Sequence, residues 1–270
     1  MALKEKYELG NELLDEFREI METVIKPRDL FAFESNSLSA SFATTPEEAI
    51  SNKTKNIFLG GDQLEKWLKV LPQLANVEKV IIPGTAISDR LMCAVCEHRT
   101  IKRLQFDSTR LNTFDMLGEL TELTHLAIGS SPRIDSLKPI SKLKSLISLS
   151  IQGNFPKIHN LADIRPLTQL KGLSLCGQDY KKIKLISLAD LVYLQNLEFL
   201  SLIAISVEQD GLTPVTKLPK LEILQLRHQR PSEWSKEDYE MLYQSNPRLK
   251  GSLIKRAATD EKFRKIMGIK

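Results

Sequence analysis

Between residues 54 and 226 the apolar positions form one phrase that occurs eight times: apolar, two others, apolar, one other, apolar. The clearest copies begin at Leu123, Leu146, Leu170 and Leu221; the others begin at Thr54, Val77, Ile101 and Leu197. Successive copies are 23, 24, 22, 23, 24, 27 and 24 residues apart. Of the 24 apolar slots only Thr54 breaks the rule, against about 10 filled by chance at 42% hydrophobic content. Between phrases the spacing changes to three, as in Leu137, Ile140, Leu143 and Leu161, Ile164, Leu167. A spacing of two predicts a strand, and a spacing of three a helical or 3₁₀ return. A fixed period in this range predicts a solenoid, in which each repeat buries its core only against its neighbours.

The phrase matches the L-x-x-L-x-L core of the leucine-rich repeat, and residues 54–250 resemble that family. The middle repeats, such as Ile134 to Leu143, are similar to its short subtype with 22-residue units, found in phosphatase regulators and bacterial surface proteins. The resemblance implies an α/β solenoid, a horseshoe of about eight strand and helical-turn repeats. The family usually places Asn or Cys three residues after the last strand apolar. Here those positions hold Asp62, Thr85, Thr109, Ser131, Asn154, Gln178, Ile205 and Gln229, so irregular turns are expected.

An open solenoid needs caps on its terminal rungs. Residues 1–52 are expected to form the first, with an amphipathic helix over 3–25 (Leu14, Phe17, Met21, Val24, Ile25 on one side) and a hairpin around Asn36. Thr45-Pro46-Glu47-Glu48 reads as a helix start, with Thr as N-cap and Pro at the first helical position. Residues 53–230 hold the repeats. Residues 231–270 are expected to form a helical cap with a basic tail: a helix opening at Ser235 and stopping near Asn246-Pro247, then another over about 252–267. The returns at Asp62–Leu74 and Ser88–His98 lack central prolines and predict true helices. Pro139, Pro166 and Pro214 predict shorter turns later.

Strand side chains alternate, so positions three, five and seven of each phrase face away from the core. The third repeat then presents Arg103, Gln105 and Asp107, the fourth His125, and the last two Phe199, Ile203, Ile223, Gln225 and Arg227. The middle repeats present small, neutral residues. Apolar side chains clustered on an open face beside an Arg suggest a contact surface. The alternative is that the chain's own C-terminal tail folds over the last rungs. A second edge is read from Phe155 and Tyr180 with Lys181, Lys182 and their neighbours.

Composition narrows the function classes. The net charge is +4, and residues 248–270 carry eight Lys/Arg against Asp260 and Glu261, so the basic character belongs to the tail. No stretch approaches the ~20 apolar residues of a membrane span, and the polar N-terminus does not read as a signal peptide. Three cysteines make no disulfide framework, and a reducing, cytoplasmic setting is expected. Cys93 and Cys96 have metal-like spacing with His98 nearby, but a structural zinc site takes about four ligands. Their apolar neighbours favour core packing. Gly60-Gly61-Asp62 could hold an anion at a helix start, though a tight turn explains it as well. No nucleophile elbow, phosphate loop, dinucleotide fingerprint or zinc-protease motif is present. The expected function is a non-catalytic protein-binding module, an adaptor, scaffold or inhibitor, monomeric on its own and without cofactor. The alternative is nucleic-acid association through Lys181–Lys184 and the tail, with binding that falls steeply with salt.

Overall fold

The computed structural model describes residues 42–51, 54–60, 63–83, 87–177, 182–226, 234, 236–246 and 249. The expected helix over 3–25, the hairpin around Asn36 and the last helix over 252–267 lie outside those residues.

Each apolar phrase becomes one strand. In chain order these are β1 (Asn56–Phe58), β2 (Lys79–Ile82), β3 (Arg103–Ser108), β4 (His125–Ser130), β5 (Ser148–Gln152), β6 (Gly172–Cys176), β8 (Phe199–Ile203) and β10 (Ile223–Leu226). Two further strands, β7 (Ile183–Leu185) and β9 (Ile205–Val207), lie between them. The eight phrase strands form one parallel sheet in the order β1-β2-β3-β4-β5-β6-β8-β10. Each repeat therefore pairs with the next. The register is kept throughout: Lys79, Arg103, His125, Ser148, Gly172, Phe199 and Ile223 are partners in succession.

The core lies on one side of this sheet. The inward strand residues (Leu126 and Ile128, Leu149 and Ile151, Leu173 and Leu175) are buried in one cluster with the returns, such as Leu137, Ile140 and Leu143. Fully burying one such side chain stabilises by ~1.5–3 kcal/mol. No single repeat encloses its own leucines, so this stabilisation is shared between neighbours.

The returns change character along the chain. Helix α1 (Pro46–Ser51) opens with reciprocal capping bonds: Glu48 N donates to Thr45 Oγ1 at 3.2 Å, and Thr45 N donates to Glu48 Oε2 at 3.2 Å. Helices α2 (Leu64–Val70) and α3 (Asp89–Cys96) follow, with Ser88 Oγ accepting from Leu91 N at 3.3 Å to cap the latter. Later returns are 3₁₀ turns at Asp115–Glu119, Lys138–Lys142, Ala162–Ile164, Ala189–Tyr193 and Thr213–Lys217. Pro139 and Pro214 open two of them, where a missing N–H costs nothing. Helix α4 (Lys236–Ser245) closes the far end, and Asn246 Nδ2 donates to the Leu221 carbonyl at 2.8 Å.

Asn154 keeps the usual residue, and two other Asn positions carry hydroxyls instead. Thr109 Oγ1 donates to the Ile87 carbonyl at 3.3 Å and accepts from Leu111 N at 2.9 Å. Ser131 Oγ donates to the Gly129 carbonyl at 2.9 Å. Ile205 is buried in β9, which pairs in parallel with β7 and gives the later repeats a second, two-stranded sheet. Asp62, Thr85, Gln178 and Gln229 lie outside the described residues. Aspartates supply a further cross-repeat tie: Asp163 accepts from Leu137 N at 2.9 Å and from Ser136 Oγ at 3.0 Å. One glycine is required by crowding. A Cβ on Gly129 would stand 1.7 Å from the Asp107 carbonyl oxygen of the preceding strand.

Candidate interaction face

The outward side of the sheet consists of two main columns set by the register. One runs Lys79, Arg103, His125, Ser148, Gly172, Phe199, Ile223. The other runs Phe58, Ile81, Gln105, Ala127, Ser150, Ser174, Ser201, Gln225. Strand alternation places these side chains opposite the leucine core. The regular register explains why the sequence pattern identifies this face.

Exposure divides the face into two parts. On β1 to β3, Phe58, Lys79, Ile81, Arg103 and Gln105 are half-buried, and Asp107 is exposed. Cationic, anionic and apolar groups thus meet solvent side by side. On β4, β5 and β8 the outward side chains are largely covered: His125, Ser148, Ser150, Phe199 and Ser201 are all buried. Thr124 Oγ1 lies 2.9 Å from His125 Nδ1. Ile203 is half-buried and neighbours Cys176 in register.

Two expectations about exposure are corrected here. Phe199 occupies its outward register position but is buried rather than open to solvent, and His125 likewise. Phe155, expected on an exposed basic edge, is 2% exposed and belongs to the core cluster. Its ring fills space inside the turn, which the strand period does not report. Ile223 and Gln225 sit in register beside Phe199 and Ser201. Lys182 is exposed. Arg227, Tyr180 and Lys181 lie outside the described residues. The pairing of Ile183-Lys-Leu185 with Ile205-Ser-Val207 escaped the sequence reading; each segment alternates apolar and polar, the signal that finds it.

At the strand entrances Glu78 bonds Lys55 Nζ at 2.8 Å, with Lys102 Nζ at 4.0 Å. The hydrogen bond from Lys55 holds its carboxyl below the usual range, and the charges of Lys55, Lys102 and Lys79 add to this against partial burial. On the opposite side, Cys93 is exposed and Cys96 buried. Burial pushes the Cys96 thiol up to about 12; nearby Cys93 adds to the shift and Arg99 opposes it. A thiol held protonated is neither a ready nucleophile nor a ready metal ligand. Among the described residues no group of three or more His, Cys, Asp or Glu is placed to hold a metal ion. Also among them, no helix is long and apolar enough to cross a membrane.

This architecture, a single parallel sheet with short helical and 3₁₀ returns, is that of the leucine-rich-repeat proteins. No family model matches the chain, and no curated protein matches its sequence. Solved structures do. A leucine-rich-repeat protein of Leptospira interrogans aligns with a TM-score of 0.55 at 22% identity, over 70% of this chain and 47% of its own. An internalin of Listeria monocytogenes aligns with a TM-score of 0.50 at 16% identity, over 68% of this chain and 51% of its own. The chain thus spans about half the length of these two structures. The likeness shows the fold.

Proposed function

We propose that the chain is a protein-binding module whose contact surface is the outward side of β1 to β3, formed by Phe58, Lys79, Ile81, Arg103 and Asp107. The observation that carries this reading is the in-register alignment of Phe58 with Ile81 and of Lys79 with Arg103 on the side of the sheet that the core does not use, with Asp107 further along β3. Apolar side chains held beside charges of both signs suit a contact in which shape is fixed by the former and orientation by the latter. The strands are rigid supports, so the surface is preorganised and loses little side-chain freedom on association. Ile203, with Ile223 and Gln225 beside β8, provides a second patch at the far end. An adaptor, a scaffold subunit and an inhibitor would each use such a surface, and a cytoplasmic protein is the partner proposed.

The test is quantitative capture with the full chain as bait. Wild type is compared with a Lys79→Glu/Arg103→Glu variant whose far-UV circular dichroism is unchanged. Proteins retained by wild type and lost by the variant support the reading. An identical set of retained proteins for both baits would remove these residues from the contact surface.

A further inference from the structure

At the exit end of the strands the chain carries a row of cations that its own acids leave unmatched. Arg110, Arg133, Lys157 and Lys184 follow β3, β4, β5 and β6 in turn, and each immediately precedes an equivalent core residue: Leu111, Ile134, Ile158 and Leu185. They therefore hold one position on four successive rungs, although they are 23, 24 and 27 residues apart. Side-chain bonds tie the row together. Arg133 Nη1 donates to the Arg110 carbonyl at 3.1 Å, Lys157 Nζ donates to the Arg133 carbonyl at 3.4 Å, and His159 Nδ1 lies 3.2 Å from the Lys184 carbonyl. All four cations are exposed, and among the described residues none of them forms an ion pair. The strand entrances are arranged differently: Glu78 stands between Lys55 and Lys102, and Lys171 meets Glu198 at 3.0 Å. Like charges on adjacent rungs repel, so the exit row carries a cost that the entrance row does not.

We propose that this row is a docking track for an acidic segment of a protein partner, separate from the surface on β1 to β3 and standing whether or not those strands bind. Arg133 and Lys157 each carry more N–H donors than the one bonded to a carbonyl, and the remaining donors can take carboxylates. The same bonds align the charged heads along the edge, so little side-chain freedom is lost on docking. Rungs are spaced by ~4.8 Å, which makes the row roughly 15 Å long, about four or five residues of extended chain. The row also has a defined end. The next equivalent position holds Glu208, which is exposed, and exposed Asp135 lies two residues from Arg133. A peptide can set a neutral or basic residue opposite these acids. The phosphates of a nucleic acid recur without interruption and would meet them with like charge. Phe155, the ring just before Lys157, is 2% exposed and gives bases nothing to stack on. Both features select a protein.

The experiment is fluorescence anisotropy with the full chain at about 50 mM salt. The probes are fluorescein-labelled hexaglutamate, hexaglutamine and a thymidine oligonucleotide. Hexaglutamate is expected to bind and hexaglutamine not to. Arg133→Glu with Lys157→Glu should weaken hexaglutamate binding by at least about tenfold. Lys142→Glu with Lys217→Glu makes the same charge change on exposed residues of the 3₁₀ returns and should leave it within about twofold. Glu208→Lys, which extends the row by one rung, should tighten it. No hexaglutamate binding, equal binding of hexaglutamine, or equal losses in the two double variants would overturn the proposal. So would an oligonucleotide that binds more tightly than hexaglutamate and suffers the same tenfold loss from Arg133→Glu with Lys157→Glu, since the row would then serve nucleic acid. Should that variant fail to fold, Arg133→Gln with Lys157→Gln, which keeps a donor on each rung, decides: weaker hexaglutamate binding is expected, and unchanged binding would overturn the proposal.

Discussion

Asp190 of one repeat is fastened to Arg165 of the repeat before it, Arg165 Nε donating to Asp190 Oδ1 at 2.7 Å. The same carboxylate accepts from Leu161 N at 3.1 Å, and the Arg165 guanidinium lies 5.0 Å from the Tyr193 ring centroid. Asp190 is 7% exposed, whereas Arg165 is exposed. Removing the acceptor strands a buried backbone N–H, while removing the donor leaves a carboxylate still bonded to the backbone. Asp190→Ala is therefore expected to cost about 1–3 kcal/mol, and Arg165→Ala clearly less. Urea unfolding of the two variants checks the order; equal losses would mean the backbone bond contributes nothing.

Gly129 is the most crowded of the described glycines. Ala at this position would drive its Cβ into the Asp107 carbonyl, 1.7 Å away, and backbone on both strands would have to shift. Overpacking of this kind costs about 1–3 kcal/mol or more. Gly129→Ala should lower the melting temperature well beyond Ser130→Ala, measured under the same conditions.

The strand leucines set the repeat. Leu149 and Leu173 are 0% exposed. Replacing either with Ala is expected to cost about 2–5 kcal/mol. A melting temperature within error of wild type would mean these side chains do not hold neighbouring repeats together.

His98 carries a pH dependence. Burial lowers its pKa; a bond with the Leu71 backbone and the Glu97 charge oppose the shift. A group with a lowered folded pKa binds its proton more readily unfolded, so its stabilisation is present above the ordinary value and lost as pH falls through the folded one. Between about pH 7 and pH 5 the wild type should lose more stability than His98→Gln does. Parallel pH curves for the two proteins would count against this.

Cys93 and Cys96 should separate by reactivity. At neutral pH iodoacetamide is expected to label exposed Cys93 and spare Cys96 in the folded protein. The raised Cys96 pKa also means that stability falls as pH rises from about 8.5, where an unfolded thiol ionises, toward the folded value of about 12. Equal labelling of both thiols in a folded sample would show that the end of helix α3 opens freely.

The sequence makes the sheet readable for a physical reason. A two-residue alternation and a 22- to 27-residue period describe the strand and its distance to the next, and those alone determine which residues become register partners. The change from helices to 3₁₀ turns is readable because Pro139 and Pro214 remove donors at defined places. The period carries no information about how exposed the outward side chains are. Phe199 and His125 have the right orientation but not the expected exposure. Phe155 lies in a turn, where no alternation applies. At two of the Asn positions Thr109 and Ser131 supply hydroxyls instead, and Asp163 and Asp190 add carboxylates elsewhere in the repeat. Those carboxylates reach back across a repeat, a contact that local sequence does not encode.

The most direct test is the dissociation constant of a captured partner, measured calorimetrically against wild type, Arg103→Glu and Lys144→Glu. Lys144 is exposed on the return side of the repeats, away from the proposed surface. Arg103→Glu should weaken binding by about tenfold or more, and Lys144→Glu should bind as wild type does. Undiminished binding by Arg103→Glu, or an equal loss in Lys144→Glu, would contradict a contact surface on the outward side of the first strands.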